Sequence, residues 1–308
     1  MTNLQKKKIG ILCGGWSSER EISLLSGNNV YQCLVNNNFD AHLLDLKENN
    51  KNRDNWYIML DKFINKNSIN LVFNLIHGNG GEDGIIQTYL DKLNVKYVGS
   101  DAASSTKSFD KIITKNIWNT HNLPTPKFIL LDETYSKIKS HIGSPFIVKP
   151  IKSGSSVDIE IIKSELEFHS YTKKIKILKD YFAEELIKGG EYTAPIIGND
   201  VFPIIQIETK REFYDYNAKY IDEDTIFTFP KFEKNYLAHI NILMNKAFST
   251  VGCTGWGRVD FFIDEKENIQ LIEVNSIPGM TGHSLVPMSA KKNNLSFLEL
   301  LEIILSHT

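Results

Sequence analysis

Two acidic residues, Asp260 and Glu273, sit in runs that are otherwise strongly apolar: Arg258-Val259-Asp260-Phe261-Phe262-Ile263-Asp264 and Ile269-Gln270-Leu271-Ile272-Glu273-Val274-Asn275. Both runs are rich in β-branched and aromatic residues, and the intervening Glu265-Lys266-Glu267-Asn268 suits a hairpin loop. If Asp264 pairs with Ile269, counting inward sets Asp260 opposite Glu273 and Arg258 opposite Asn275, all on one face. Directly opposed carboxylates have Cβ atoms about 4.5–5.5 Å apart, and like charges there destabilise unless a cation neutralises them. Hard oxygen donors from Asp, Glu and Asn match Mg²⁺, which keeps several waters and takes substrate phosphates as further ligands. The competing reading is a pair of solvated acids on an exposed face. The apolar neighbours Val259, Phe261, Ile272 and Val274 weigh against it, and a one-residue slip would separate the acids.

A second chemistry-bearing stretch is Ile147-Val148-Lys149-Pro150 followed by Lys152-Ser153-Gly154-Ser155-Ser156. Backbone N–H groups of such a small-residue loop cradle phosphate oxygens while Lys149 supplies a point charge; a plain surface turn is the alternative. The sequence has no Gly-Lys dipeptide, which excludes a P-loop, and the turn after the first strand lacks GxGxxG. Asp45 ends the second strand, where a dinucleotide site would place its acid, so an NAD-linked enzyme is the named rival.

The elements that must position these residues begin with βα alternation: apolar Lys8–Cys13, helical 17–35, apolar 41–46, helical 55–64, apolar 71–76, helical 84–93. This pattern predicts a doubly wound parallel sheet with its ligands at the carboxyl ends of the strands. The loops there are Gly14-Gly15-Trp16-Ser17-Ser18-Glu19-Arg20 and His77-Gly78-Asn79-Gly80-Gly81-Glu82-Asp83-Gly84. Beyond residue 100 the pattern becomes α+β: a helix over 108–121, strands at 128–131, 146–149, 159–162 and 182–187, then 203–207, 216–221, 257–263 and 269–275, with helices at 232–249 and 297–305. The expected domains are 1–100, 101–183 and 184–308. A chain of 308 residues suits two or three domains at roughly 100–200 residues each. A net charge of −2 supplies no field for nucleic acid or an anionic membrane. The first apolar run is too short for a signal-peptide core, so a cytoplasmic location is expected. Three cysteines without CxxC spacing indicate neither a disulfide framework nor a zinc site.

Taken in order, these segments resemble the ATP-grasp superfamily and, within it, the D-alanine-D-alanine ligase family over nearly the whole chain. The residues carrying the likeness are Gly14-Gly15 with Ser18-Glu19-Arg20-Glu21, Leu75-Ile76-His77-Gly78 with Gly81-Glu82-Asp83-Gly84, Tyr97-Val98-Gly99-Ser100, and Val148-Lys149-Pro150 with Gly154-Ser155-Ser156-Val157. Tyr214-Asp215-Tyr216 with Ala218-Lys219-Tyr220, Gly257-Arg258-Val259-Asp260, Glu273-Val274-Asn275, Pro278-Gly279-Met280-Thr281 and His283-Ser284-Leu285-Val286-Pro287 complete it.

The resemblance implies an ATP-grasp architecture in which an amino-terminal doubly wound domain precedes two α+β domains that clasp ATP. By likeness Lys111, Lys149, Ser155, Ser156 and Lys219 meet phosphates, Glu184, Glu185, Leu186 and Ile187 flank adenine, and Glu191 holds the ribose. Asp260, Glu273 and Asn275 would take two Mg²⁺ ions, with Mn²⁺ an expected substitute. Glu19 and His77 would receive the first D-alanine, while Lys219, Ser284 and Leu285 border the second. Arg258 and the Gly279 N–H would hold the oxyanion, and Glu19, Ser155 and Tyr220 would close the site. A homodimer is the expected assembly. Asp158 departs from the glycine usual after Ser-Ser-Val, and Pro195 interrupts the strand after Glu191, which suggests an edge position or a bulge.

Overall fold

The computed structural model describes residues 4–47, 55–154, 158–209 and 225–308. Strands β1 (Lys8–Gly14), β2 (Asp40–Leu46), β3 (Leu71–Asn74) and β4 (Lys96–Tyr97) form an all-parallel sheet in the order β2-β1-β3-β4. Its side chains alternate between two cores. Ile9, Ile11 and Phe73 face helix α1 (Arg20–Asn36) through Val30 and Leu34. Leu12 and Val72 face α2 (Asn55–Asn67) and α3 (Ile85–Lys92) through Leu60, Phe63, Ile86 and Leu90. The doubly wound sheet expected from the βα alternation is present.

The helix expected over 108–121 is α5 (Lys111–Thr120), and a separate helix that was not foreseen, α4 (Ala102–Phe109), precedes it. Asp110 breaks them: its backbone is extended, and its carboxylate accepts from the Ile113 N–H at 3.0 Å. An N-cap of this kind satisfies an orphan donor of the helix start, and it fixes Lys111 in the first turn.

The second sheet is antiparallel, ordered β5-β8-β6-β7, from β5 (Phe128–Leu130), β6 (Phe146–Pro150), β7 (Glu160–Ile162) and β8 (Tyr181–Glu185). Helices α6 (Tyr135–Ile142) and α7 (Glu165–Thr172) close its core through Ile138, Ile142 and Phe168. β8 pairs through Glu185, past the boundary expected at residue 183.

The third sheet runs β12-β11-β9-β13-β14, with β10 added to β9. Its strands are β9 (Gly189–Ile197), β10 (Asp200–Val201), β11 (Ile205–Glu208), β12 (Ile226–Thr228), β13 (Trp256–Asp264) and β14 (Ile269–Asn275). Helix α8 (Lys234–Val251) covers one face, packing Ile240, Met244 and Phe248 on Val259, Phe261 and Leu271. The strand expected at 216–221 lies outside the described residues.

β9 was not foreseen as a strand of this length, and Pro195 does not mark a sheet edge, because β9 is interior. The proline falls where pairing to β11 has ended at Thr193 and pairing to β10 begins at Ile196. Its carbonyl accepts from the Phe202 N–H at 2.8 Å. In an extended strand a residue's N and C=O point the same way, so the missing N–H lies on that side and no bond to β13 is lost.

The cores do not follow chain order. Trp118 of α5 is fully buried in the third core and donates from Nε1 to the Ala247 carbonyl at 2.9 Å. Helices α9 (Leu285–Lys292) and α10 (Phe297–Ser306) return to the first sheet, burying Val286, Leu300, Leu301 and Ile304 against Ile9, Ile11 and Phe73.

Candidate active site

The hairpin pairs Asp260 with Glu273, Val259 with Val274 and Arg258 with Asn275, the facing set expected from the sequence. The turn end differs: Ile263, not Asp264, pairs with Ile269, and the register shifts between Asp260 and Phe261. Ile272 is the extra residue of this β-bulge. Continued without it, the turn's register would oppose Asp260 to Ile272 and send Glu273 to the buried face. With it, Ile272 and Glu273 both line the cleft while Leu271 and Val274 stay buried.

The opposed acids each hold a cation. Arg258 donates from Nε to Asp260 Oδ1 and from Nη2 to Oδ2, both at 2.8 Å, and the Thr193 hydroxyl also donates to Oδ1. The Lys111 ammonium lies 3.1 Å from Glu273 Oε2 and donates to the Ser153 carbonyl at 2.7 Å. Asn275 Oδ1 accepts from the Ile277 N–H at 3.2 Å. This donor set fits a hard divalent cation: a carboxylate has about four lone-pair positions, so ion pairing does not exhaust it. Among the described residues no cluster of three or more His, Cys, Asp or Glu gathers; a cation held by these residues would take its remaining ligands from water and phosphate, as Mg²⁺ does.

Between the second and third sheets lies a cleft of about 720 Å³. It is lined by Lys111, Lys149 and Gly154, by Glu185, Leu186, Ile187 and Glu191, and by Arg258, Asp260, Phe262 and Glu273. Glu184 contributes to the same lining, but its side chain is 1 % exposed and bridges two lysines. Lys149 Nζ lies 2.6 Å from Glu184 Oε2, and Lys115 Nζ meets Oε1. Burial opposes the charge on Glu184, but the two ammonium groups outweigh it and lower its pKa. Burial likewise opposes the charge on Lys149, and Glu184 reverses this to raise its pKa.

At the amino-terminal end of the cleft, Glu19 is buried at the start of α1, and a Cβ on Gly154 would sit 2.4 Å from its Oε2. Ser17 donates to the His77 carbonyl at 2.7 Å. His77, 4 % exposed, donates from Nδ1 to the Ile277 carbonyl at 3.0 Å. That bond sets the tautomer, leaving Nε2 an acceptor with no partner among the described residues. Burial lowers the His77 pKa, against the opposite pull of Glu19. Asn74 and Gln87 both donate to the Gly81 carbonyl, fixing the His77 loop, and a Cβ on Gly81 would meet the Ile76 carbonyl at 1.9 Å.

Ser284 Oγ accepts from the Thr281 N–H at 2.9 Å and touches the place a Cβ on Gly279 would fill. Met280 beside it is tied to α1, its N–H donating to Ser26 Oγ at 3.0 Å and its carbonyl accepting from Asn29 at 2.9 Å. Leu285 packs inward on Ile205 and Ile207. Ser155, Ser156, Lys219 and Tyr220 lie outside the described residues. Asp45, the acid of the NAD alternative, is occupied by Arg20 at 2.9 Å.

Sequence reasoning missed Lys115, Glu82, Thr193 and Ile277. Lys115 carried a signal, one turn beyond Lys111 on the helix face that also holds Thr114 and Trp118. Glu82 accepts from the Gly78 N–H at 2.9 Å, and burial, then the nearby Glu19, pushes its pKa up to about 8. Ile277 acts only through its backbone, which no side-chain pattern reveals.

Two antiparallel α+β layers flanking a cleft lined by lysines and by a facing acid pair define an ATP-grasp enzyme. The chain belongs to the D-alanine–D-alanine ligase family: residues 117–306 match the D-ala D-ala ligase C-terminus and 59–100 the N-terminus. It is 39 % identical over 300 residues to D-alanine--D-alanine ligase B of Chromobacterium violaceum, covering 96 % of both chains. It is 36 % identical to D-alanine--D-alanine ligase of Actinobacillus succinogenes over 313 residues, 99 % of each chain. The solved Bacillus anthracis D-alanine--D-alanine ligase complexed with ATP superposes with a TM-score of 0.82 at 27 % identity, over 97 % of this chain and 96 % of that one.

Proposed function

We propose that this chain ligates two D-alanine molecules to D-alanyl-D-alanine for peptidoglycan precursor synthesis, through a D-alanyl phosphate and with release of ADP and phosphate. The observation that carries the reading is the Asp260–Glu273 pair, flanked by Arg258 and Lys111 in the cleft of a chain of this family.

A carboxylate is a poor acyl donor until the γ-phosphate of ATP is transferred to it. Lys111, Lys149 and Arg258 surround the cleft with positive charge where that group would pass. Asp260, Glu273 and Asn275 would hold Mg²⁺, two ions in this reading and replaceable by Mn²⁺, which when bound offsets phosphate charge. Glu184 to Ile187 would flank adenine and Glu191 the ribose. Glu19 would receive the ammonium of the first D-alanine, with neutral His77 beside it. Ser284 and Leu285 would border the second, joined by Lys219, and its free amine attacks the acyl phosphate. Arg258 and the Gly279 N–H would meet the developing oxyanion. Glu19, Ser155 and Tyr220, with Ser156 in the same loop, would close the site and exclude water from the acyl phosphate. The buried position of Glu19 against Gly154 supports that arrangement.

The same reading takes 1–100, 101–183 and 184–308 as the amino-terminal, lid and catalytic domains of a cytoplasmic homodimer with no nucleic-acid or membrane partner. Among the described residues no helix is long and apolar enough to cross a membrane. The decisive test supplies ATP, Mg²⁺ and a panel of D-alanine, D-serine and D-lactate, then identifies products by mass spectrometry. D-alanyl-D-alanine with stoichiometric phosphate is expected; a mixed product alone, or no product, overturns the reading.

A further inference from the structure

Lys115 is 1 % exposed, does not line the cleft, and is used by nothing in the reaction described above. Its ammonium meets Glu184 Oε1, donates to Thr125 Oγ1 at 2.7 Å and lies 5.8 Å from the Phe128 ring centroid. Thr125 in turn donates to the Leu271 carbonyl at 2.8 Å, on the strand that carries Glu273. Removing a cation this completely from water is costly, and apolar replacements of buried ion pairs are often neutral or stabilising. A fold needing only to tie α5 to β8 would do as well with a methionine. The charge therefore invites a second explanation.

That explanation is arithmetic. Glu184 offers one negative charge to two ammonium groups, Lys115 on Oε1 and Lys149 on Oε2. With Lys115 present the cluster carries +1; without it, the Lys149–Glu184 pair is neutral. Lys149 and Glu184 line the cleft and Lys115 does not, so of the two ammonium groups only that of Lys149 belongs to the cleft wall, together with Ser153 and Gly154 of the small-residue loop.

We propose that Lys115 is a positioning residue that occupies the Glu184 carboxylate, so that the Lys149 charge is left for a polyphosphate in the cleft; this rests on the nucleotide reading of that cleft. The pKa directions agree: Glu184 is lowered by its two lysines against burial, and Lys149 is raised. Lys115 itself is lowered, by burial first and by Lys149 among its neighbours, as a cation held for another group's benefit should be.

The test is calorimetric titration of the full chain with ADP–Mg²⁺ and, separately, with adenosine, which has no phosphate. Lys115→Met should weaken ADP about tenfold, equivalent to about 1.4 kcal/mol, and leave adenosine within about twofold. Glu184→Gln reverses the sign: it removes the competitor for Lys149 and should tighten ADP severalfold. The inference is overturned if Lys115→Met binds ADP like the parent chain, or loses adenosine in proportion, as a collapsed cleft would. Weaker ADP binding by Glu184→Gln overturns it as well, and this arm decides even if Lys115→Met does not fold. Failure of the parent chain to bind ADP would remove the nucleotide reading itself, and the inference with it.

Discussion

Deleting Ile272 should leave the acid pair in place, because the deletion removes the one residue that the bulge absorbs. From the turn, Ile263, Phe262 and Phe261 pair with Ile269, Gln270 and Leu271. Continued by one step in the deleted chain, that ladder sets Asp260 directly against Glu273, Val259 against Val274 and Arg258 against Asn275. Every inward side chain stays inward. The loss is the partly buried Ile272 side chain at the cleft wall, about half of the ~1.5–3 kcal/mol for full burial, hence about 1 kcal/mol. That corresponds to roughly 2–4 °C in Tm. Deleting Val274 makes the contrast. It brings Asn275 into the inward position against Val259, losing about 1.5–3 kcal/mol of valine burial and leaving an amide unpaired at about 1–3 kcal/mol more. Scanning calorimetry of the two purified variants decides. If the Ile272 deletion melts as low as the Val274 deletion, the register argument is wrong.

Glu273→Gln keeps the shape of the site but halves its opposed carboxylates; kcat for phosphate release should fall at least about 100-fold with an unchanged circular dichroism spectrum, and near-parental turnover would contradict the assignment. Trp118→Ala empties a fully buried position and removes a donor to Ala247. It should cost about 3–5 kcal/mol, seen as a midpoint shift in urea at unchanged slope. Glu82 holds its proton more tightly in the fold, at about 8 against an ordinary 4.5. Its contribution to stability is therefore full below about pH 4.5 and lost as pH rises through about 8. Glu82→Gln should flatten the decline of Tm across that window, and an unchanged slope would assign the decline to other groups.

The sequence exposed the acid pair because two charged residues in apolar strands are conspicuous, and because a strand's period of two converts spacing into a face. It also contained the bulge. Alternation in β14 breaks at Leu271-Ile272, where two apolar residues adjoin, and a phase change there is what a bulge produces. The Asp110 cap was hidden because the expected helix began at 108, before the break, and the break is made by one side chain accepting one backbone bond. β9 was hidden by Pro195, whose permissibility depends on which neighbour ends beside it. Neither fact is local. Loop composition marked the two segments that hold Glu19 and His77, and the family likeness supplied the roles of those residues, but the Ile277 carbonyl that orients His77 comes from a segment far along the chain, and such a contact has no signature in either segment alone.

The return of α10 to the first sheet has a consequence for synthesis. The face of β1 and β3 that carries Ile9, Ile11 and Phe73 is roofed partly by α1 and partly by Leu300, Leu301 and Ile304. Its opposite face, under α2 and α3, is complete once the first hundred or so residues have emerged. On a ribosome adding roughly 5–20 residues per second, the amino-terminal sheet therefore waits tens of seconds half-roofed, with apolar side chains that a nascent-chain binder can hold. A helix made long after the first sheet is the one that finishes it, so a stop codon shortly before Phe297 would damage a part of the protein translated much earlier.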